Sequence, residues 1–202
     1  DYANTKIEML YGLLNEVQVG FSRESFKKTY NINLKYAIKK QTTTFPVSIV
    51  GYNSINLDTS LDENIYPNLN FNERYVYISQ LLISRRFSDN FSLQLSPSVV
   101  KHNFLTTQSE TDYNYILNTG SRLKISKRSS FNIDYSHHLN RLSSSTEKNV
   151  LSLGIDMETG GHVFQLLFSN TQASDEAGVL TMAEGDWLKG DVFFGFNILR
   201  VF

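Results

Sequence analysis

The side chains best suited to chemistry in this sequence are those of Ser136-His137-His138 and, separately, that of His102. A serine near a histidine could act in hydrolysis, and neighbouring histidines could bind a metal ion. Consecutive residues of a strand point to opposite faces, so His137 and His138 cannot bind one metal ion as neighbours. A lipid hydrolase would need Ser136 and His138 on an apolar face, whereas both fall on a polar one. We therefore predict that the chain is not an enzyme and that it binds no metal ion or cofactor.

Acidic residues form two groups in the connections between regular segments. Asp58, Asp62, Glu63 and Asn64 offer the oxygen ligands that Ca²⁺ prefers, but they lack the glycine and terminal glutamate of a dedicated calcium loop. We expect a solvated acidic loop there. The second group surrounds the single tryptophan and could form a partner-binding surface; its members are Asp175, Glu176, Glu184, Asp186 and Trp187.

Strands must position these side chains, because apolar residues recur with a period of two and no segment sustains the helical period of about 3.6. The alternation is regular in Tyr30 to Lys39, Asn118 to Ile125, Ser130 to Asn140 and Val150 to Glu158. Less regular candidates bring the total to eleven: Thr5 to Tyr11, Glu16 to Ser22, Val47 to Leu57, Arg74 to Phe87, Phe91 to Asn103, His162 to Ser169 and Asp191 to Phe202. The best helical candidate, Asp175 to Trp187, contains Gly178 and Gly185 and is expected to be a loop.

The connections between these strands alternate in length. Short joints rich in turn residues are Gly12 to Asn15, Gln41 to Pro46, Ser88 to Asn90, Ser126 to Ser129 and Gly160-Gly161. Mostly longer, polar connections are Arg23 to Thr29, Asp58 to Glu73, Phe104 to Asp112, Arg141 to Asn149 and Asn170 to Gly190. Such alternation is expected when one rim of a barrel carries tight turns and the other carries loops. A soluble sandwich has no reason to show it.

The composition fits one domain spanning residues 1–202, long enough to close a barrel of about a dozen strands. Lys plus Arg (19) nearly balances Asp plus Glu (20), so we predict no nucleic-acid partner. Cysteine is absent, which excludes disulfides and thiolate sites. No run approaches the roughly 18 apolar residues of a transmembrane helix, so a chain of this kind would cross a membrane only as strands.

Alternation alone does not say which face points outward, since a soluble lipocalin-type barrel with its apolar face inward gives the same pattern. Several strands contain about ten residues, which is the length that a tilted strand needs to cross the hydrocarbon layer. We therefore predict an all-β protein, an antiparallel up-and-down transmembrane β-barrel. Its polar face would line a lumen with Lys6, Glu8, Glu16, Lys35, Lys39, Arg122, Lys124, Asp134, His138, Asp156 and Glu158. Its apolar face would meet outer-membrane lipid through Ile32, Leu34, Tyr36, Leu151, Leu153, Ile155, Phe194, Phe196 and Ile198.

Three features depart from simple alternation. Pro97 interrupts a predicted strand and removes a backbone donor, so we expect a β-bulge there. Arg200 falls on the apolar face of the last strand, from which its side chain could reach the interface. The glycines of the polar face are expected to allow a bend or close packing rather than to bind phosphate; they are Gly20, Gly120, Gly154 and Gly195.

Short motifs are spread along nearly the whole chain: Tyr11-Gly12-Leu13-Leu14-Asn15, Val17-Gln18-Val19-Gly20-Phe21, Leu93-Gln94-Leu95-Ser96-Pro97, Lys101-His102-Asn103, Gly161-His162-Val163-Phe164-Gln165-Leu166, Gly185-Asp186-Trp187 and Gly195-Phe196-Asn197. With these motifs the sequence resembles an uncharacterised family of outer-membrane β-barrels of the Bacteroidetes type. The last strand, apolar at alternate positions and ending in Phe202, resembles the C-terminal signal of such barrels. The resemblance implies a location in the bacterial outer membrane and no particular activity.

Eleven predicted strands imply a twelfth. If Phe202 lies on the periplasmic side, counting back through the connections puts Asp1 on the extracellular side. Single-chain bacterial barrels usually have an even number of strands, and an open edge would leave backbone groups unpaired in hydrocarbon. The resembled family also begins earlier, with a strand that contains a His-Arg-Phe-Gly motif. We therefore expect a further strand upstream of Asp1 that pairs with both Thr5 to Tyr11 and Val192 to Phe202.

The mixed charges of the predicted lumen could select a solute, or they could pair and fill a narrow interior; their balance favours pairing. Two functions follow. The first is a porin-like channel for small polar solutes. The second is a non-conducting accessory barrel that docks an outer-membrane or periplasmic protein partner.

Overall fold

Eleven strands account for most of the chain. The computed structural model describes residues 3–105 and 111–200. The strands are β1 (Lys6–Leu14), β2 (Val17–Glu24), β3 (Tyr30–Lys39), β4 (Ser48–Leu57), β5 (Tyr75–Arg86), β6 (Phe91–His102), β7 (Tyr113–Lys124), β8 (Ser129–His138), β9 (Val150–Thr159), β10 (His162–Ser169) and β11 (Phe193–Arg200). All eleven predicted strands are confirmed, and β3 and β10 have the predicted bounds. Phe202, the predicted terminal signal, lies outside the described residues.

The largest error in a strand boundary concerns β7, which begins at Tyr113 rather than at Asn118. Ile116 is the cause. It lies on the face that carries Asn114 and Asn118. An apolar residue on this polar face interrupts the period of two, so the first half of β7 cannot be recognised from the sequence pattern.

Short helices lie in the connections: α1 (Glu176–Thr181) and three 3₁₀ helices at Phe26–Lys28, Phe71–Arg74 and Trp187–Lys189. The prediction of a loop throughout Asp175 to Trp187 is therefore wrong. The Asp175 side chain accepts a hydrogen bond from the Gly178 N–H and caps α1. Gly178 lies so close to Ala173 that a Cβ on it would collide, so this glycine serves packing rather than ending the helix. Within the described ranges, no helix is long and apolar enough to cross a membrane.

The strands form one antiparallel sheet in sequence order, from β1 to β11. The register is continuous through the last three strands: Ile155 of β9 lies opposite Leu166 of β10, which lies opposite Phe196 of β11. In the part of the chain that the structure describes, β1 pairs only with β2 and β11 only with β10. The expected twelfth strand would lie between these two edges, and it stays a prediction.

The bulge predicted at Pro97 is wrong. The register between β5 and β6 is the same on both sides of Pro97, with Gln80 opposite Ser98 and Ile83 opposite Leu95. Only the pairs between these positions are missing, which is the local loss expected where a strand lacks one donor. Irregularities in register occur instead between Gly12 and Leu14 in β1 and between Ala37 and Lys39 in β3.

The connections fall alternately at two ends of the sheet, as antiparallel order requires. We call one end the turn rim, with residues 15–16, 40–47, 87–90, 125–128 and 160–161. We call the other end the loop rim; its described residues are 25–29, 58–74, 103–105, 111–112, 139–149 and 170–192. Except for residues 25–29, the loop-rim connections are the longer ones. The predicted alternation of short and long connections is thus confirmed.

The sheet curls around the connection between β10 and β11. We call residues 171–190 the lumen segment. Ser174 hydrogen bonds to Glu24 of β2, and Asp175 hydrogen bonds to Asn56 of β4. Helix α1 also packs against β5, β7, β8 and β9. One segment can touch strands from both halves of this sheet only if the sheet is rolled around it. The enclosed space is the lumen, and the polar face forms its wall.

Candidate functional site

The two faces of the sheet are inverted relative to a soluble protein. On β3, Ile32 is 64% exposed, whereas Asn31 and Asn33 on the other face are 2% and 4% exposed. Other buried polar residues of the wall are Ser22, Asn56, Ser96, Ser98, Asn118, Ser130, Ser136 and Ser169. In water this arrangement is costly, whereas it suits a protein with hydrocarbon outside and a polar lumen inside. The faces therefore exclude a soluble barrel with an apolar interior.

All nine residues predicted to face lipid lie on the outward face. Ile32, Leu34, Ile155, Phe194, Phe196 and Ile198 are exposed, and Tyr36, Leu151 and Leu153 are half-buried among their neighbours. Lipid contact itself stays a prediction.

Buried polar side chains of the wall hydrogen bond to one another. Asn31 donates to the side-chain carbonyl of Asn56. Asn118 Nδ2 donates to Asp134 Oδ1 at 2.7 Å and to Ser136 Oγ at 2.9 Å. Because unpaired buried polar groups are costly, these bonds let a polar interior remain folded.

Several charged residues predicted to line the lumen form ion pairs. Toward the turn rim, Arg122 Nη2 lies 3.1 Å from Glu158 Oε1 and 3.9 Å from Asp156 Oδ2. Toward the loop rim, Lys6 Nζ lies 3.1 Å from Glu176 Oε1. These pairs compensate charge locally, in the manner of a filled interior rather than of a ring of one sign.

Two residues predicted to line the lumen are placed elsewhere. Glu16 lies in the turn between β1 and β2, where its Oε1 is 3.2 Å from Lys40 Nζ. Lys39 follows the irregularity in β3 and pairs in register with Ile49, which belongs to the outward face. An extra residue in one strand shifts the face of the residues after it, which is why alternation misplaced Lys39. Two further basic residues that were predicted to line the lumen, Lys35 and Lys124, lie on the polar face of the sheet.

An apolar cluster fixes the lumen segment in the loop half of the lumen. Ala177 and Leu180 of α1 are buried against Ile78 of β5, Val100 of β6 and Ile116 of β7. These three strand residues lie on the wall face that is polar elsewhere. Burying one leucine side chain stabilises by about 1.5 to 3 kcal/mol, so this cluster is a substantial anchor.

Hydrogen bonds hold the beginning of the lumen segment to β2 and β4. Glu24 Oε1 accepts from Ser174 N at 2.9 Å and from Ser174 Oγ at 2.6 Å. Asn56 Nδ2 donates to Asp175 Oδ2 at 2.6 Å. Burial raises the pKa of Asp175 to about 6, and the nearby carboxylates of Glu24 and Glu176 also favour its protonated form.

The residues predicted to form a partner-binding surface do not share one surface. Asp175 is buried and Glu176 pairs with β1, so both belong to the lumen. Trp187 donates its indole N–H to a backbone carbonyl of β9 at 3.0 Å. Asp186 caps the 3₁₀ helix that follows it, and Glu184 is exposed. Binding of a partner stays a prediction.

A cavity of about 150 Å³ lies between the lumen segment and the wall at the loop rim. Its lining includes Arg74, Arg141, His138 and Glu147. His138 Nε2 lies 3.0 Å from Asn114 Oδ1. Burial lowers the pKa of Arg141. The cavity is thus lined by hydrogen-bond donors and acceptors and by charges of both signs, and such a lining suits a polar solute.

The groups considered for hydrolysis and metal binding take part in structural contacts. Ser136 bonds to Asn118, while His137 lies on the opposite face of β8 from His138, with its Nδ1 3.1 Å from Asn149 Nδ2. This is not the arrangement of a nucleophile and its base. In the predicted acidic loop, Ser60 and Asn64 donate to Asp58 and Asp62, and Glu63 pairs with Arg74. Over residues 3–105 and 111–200, no group of three or more His, Asp or Glu side chains is placed to hold a metal ion.

A family model described as membrane bound beta barrel domain (DUF5777) matches residues 1–202. The chain belongs to this family. Among solved structures, the NanC porin in a rhombohedral crystal form is similar over 98% of this chain and 93% of that chain, with a TM-score of 0.69 and 8% sequence identity. At this identity the similarity shows the fold alone. No curated protein matches the sequence.

The lumen segment of this membrane barrel was not foreseen from the sequence. A weak signal exists, because this connection between strands contains the small residues Ala173, Ala177 and Ala183, and all three are buried. Ile78 and Val100, which lie among polar residues on the wall face, are the complementary signal. Neither pattern is informative until the segment and the wall are placed together.

Proposed function

We propose that this protein is a porin-like channel of the bacterial outer membrane, which passes small polar solutes through a lumen narrowed by the lumen segment. The observation that supports this best is the wall, where buried serine and asparagine side chains face the inside of a membrane barrel. A polar lining provides hydrogen bonds for solutes that cannot cross hydrocarbon.

The narrow space beside the lumen segment limits the solutes that fit. The cavity at the loop rim has a volume of about 150 Å³, enough for several water molecules but not for a large solute. Its mixed charges favour polar or zwitterionic solutes at the entrance. Solutes the size of single amino acids or monosaccharides are therefore expected to permeate faster than oligomers.

Conductance of the purified full-length protein in planar lipid bilayers tests this proposal. Stepwise currents are expected, and Leu180→Ala, which loosens the apolar anchor of the lumen segment, should change their amplitude or noise. Leu188→Ala is the matched control, because Leu188 lies on the same segment and is 98% exposed. A silent bilayer containing folded protein would contradict the proposal.

The second candidate is an accessory barrel that conducts little and docks a protein partner. Two observations favour it: the lumen segment is firmly anchored inside the lumen, and Leu188 is 98% exposed next to Trp187 on the loop rim. A partner that covers this part of the loop rim would bury the Leu188 side chain, which is favourable for an apolar group. Co-purification of a fixed partner from gently solubilised membranes, lost in Leu188→Asp but retained in Ile125→Asp at the turn rim, where Ile125 is 60% exposed, would support this function over the channel.

A further inference from the structure

Carboxylates gather where the lumen segment meets β1 and β2. We call Glu8, Glu24, Asp175 and Glu176 the acidic cluster. Glu24 interacts electrostatically with Glu176, and Asp175 interacts with both. Lys6 lies 3.1 Å from Glu176 and 4.0 Å from Glu8. The positive charges found to act on the cluster are those of Lys6 and, beside Asp175, Lys27. Among the described residues, the four acidic groups of the cluster therefore interact with two basic groups, and Lys35 lies nearby, opposite Tyr52 in the register.

The acidic cluster also presents a hydrogen-bond acceptor that the protein does not use. Glu24 is 1% exposed, and both of its bonds from Ser174 go to Oε1, leaving Oε2 without a partner. The Tyr52 hydroxyl is close to both Ser54 and Glu176, so these three polar groups lie together beside the cluster. An unsatisfied buried polar atom costs about 1 to 3 kcal/mol, and more when charged. An unused carboxylate oxygen beside surplus negative charge calls for a ligand that is both cationic and a donor.

A primary ammonium group has these properties, because it supplies three N–H donors and one positive charge. The Tyr52 hydroxyl interacts electrostatically with Glu176 and Glu8, so the tyrosine belongs to the same site. No three acidic or histidine side chains converge as metal ligands in the described ranges, which favours a hydrogen-bonded ammonium group over a metal ion.

We propose that the acidic cluster binds solutes that carry a primary ammonium group and makes the lumen selective for cations. This inference rests on the proposed channel function and names its substrate class. Buried carboxylates in a narrow polar passage raise the local concentration of cations and exclude anions.

The first test is the reversal potential of the channel under a KCl gradient. The wild type is expected to favour K⁺ over Cl⁻ by about fivefold, and Glu24→Gln/Glu176→Gln should lower the ratio to about one to two. Glu24→Gln keeps the Oε1 that accepts from Ser174, so this single variant serves if the double variant does not fold. Glu184→Gln removes one charge from an exposed position of the same segment and should leave the ratio unchanged. A conducting channel without cation preference, or one whose ratio the two substitutions do not change, would overturn the inference.

The second test does not depend on conductance. Calorimetric titration of the detergent-solubilised protein should show binding of glucosamine, which carries an ammonium group, and no binding of N-acetylglucosamine, which does not. Glu24→Gln should weaken the glucosamine affinity at least about tenfold, since a charge-assisted hydrogen bond is worth about 1.5 to 3 kcal/mol. If bilayers are silent but this pattern holds, the channel function fails and the ammonium site stands. If glucosamine does not bind, or binds equally well to Glu24→Gln, the site is wrong.

Discussion

Replacing Leu153 by arginine tests which face of the sheet meets hydrocarbon. Leu153 lies in β9 on the outward face, opposite Ile133 of β8 and Phe168 of β10. All three are apolar, and none offers a partner for a guanidinium group. An arginine on the lipid face near the midplane of the membrane costs about 2 to 4 kcal/mol. We expect Leu153→Arg to destabilise the folded barrel by this amount.

Ser152→Arg is the matched control, one residue away on the wall of the lumen. Ser152 Oγ lies 2.8 Å from Ser169 Oγ, so the substitution loses one neutral hydrogen bond, about 1 kcal/mol. Asp134 lies opposite Ser152 in the register and could compensate the new charge. The difference between the two variants is therefore expected to be about 1 to 3 kcal/mol.

Reversible guanidinium unfolding of the barrel in lipid vesicles measures both free energies of unfolding, provided that the slopes with denaturant agree. A lower midpoint for Leu153→Arg than for Ser152→Arg is the expected outcome. Equal losses at the two positions, or a larger loss at Ser152, would refute the assignment of the faces.

Three further predictions concern the lumen segment and the edges of the sheet. Leu180→Ala should loosen the lumen segment by about 2 to 4 kcal/mol, seen as faster amide hydrogen exchange confined to residues 171–190; unchanged exchange there would contradict the packing. Because the pKa of Asp175 is raised to about 6, the segment should be docked most firmly below about pH 4 and less firmly as the pH rises through 6. Quenching of Trp187 fluorescence by acrylamide should therefore increase from pH 4 to 7, and the same increase in Asp175→Asn would count against this origin. If a twelfth strand separates β1 from β11, cysteines placed at Met9 and Phe196 of the cysteine-free chain should not form a disulfide, whereas ready oxidation would show that these strands are neighbours.

Much of the fold was predictable from local pattern, because a strand with one apolar and one polar face must show a period of two. The β3 strand, where Ile32 and Leu34 alternate with Asn31 and Asn33, is such a case. Predictions failed where one residue changed the pattern. The irregularity between Ala37 and Lys39 moved Lys39 to the outward face, and no property of the lysine itself indicates this.

From the sequence, the identity of the buried face was only a hypothesis, because a barrel with its apolar face inward and one with its apolar face outward give the same alternation. The rolled sheet decided it, by burying Asn31 and exposing Ile32. The acidic cluster depended still more on the tertiary structure. Glu24 and Glu176 are 152 residues apart in sequence (176 − 24) and become neighbours only because β2 curls toward the lumen segment.

The sequence by itself determined the strands, their order and the alternation of turns and loops, because these depend on residues close together in the chain. Only the tertiary structure decided that residues 171–190 turn into the lumen. The segment lies in the lumen because Ala177 and Leu180 are buried there against an apolar surface. That surface consists of Ile78, Val100 and Ile116, which belong to three different strands. Burial is a property of what covers a residue, and the covering residues here are far away in sequence.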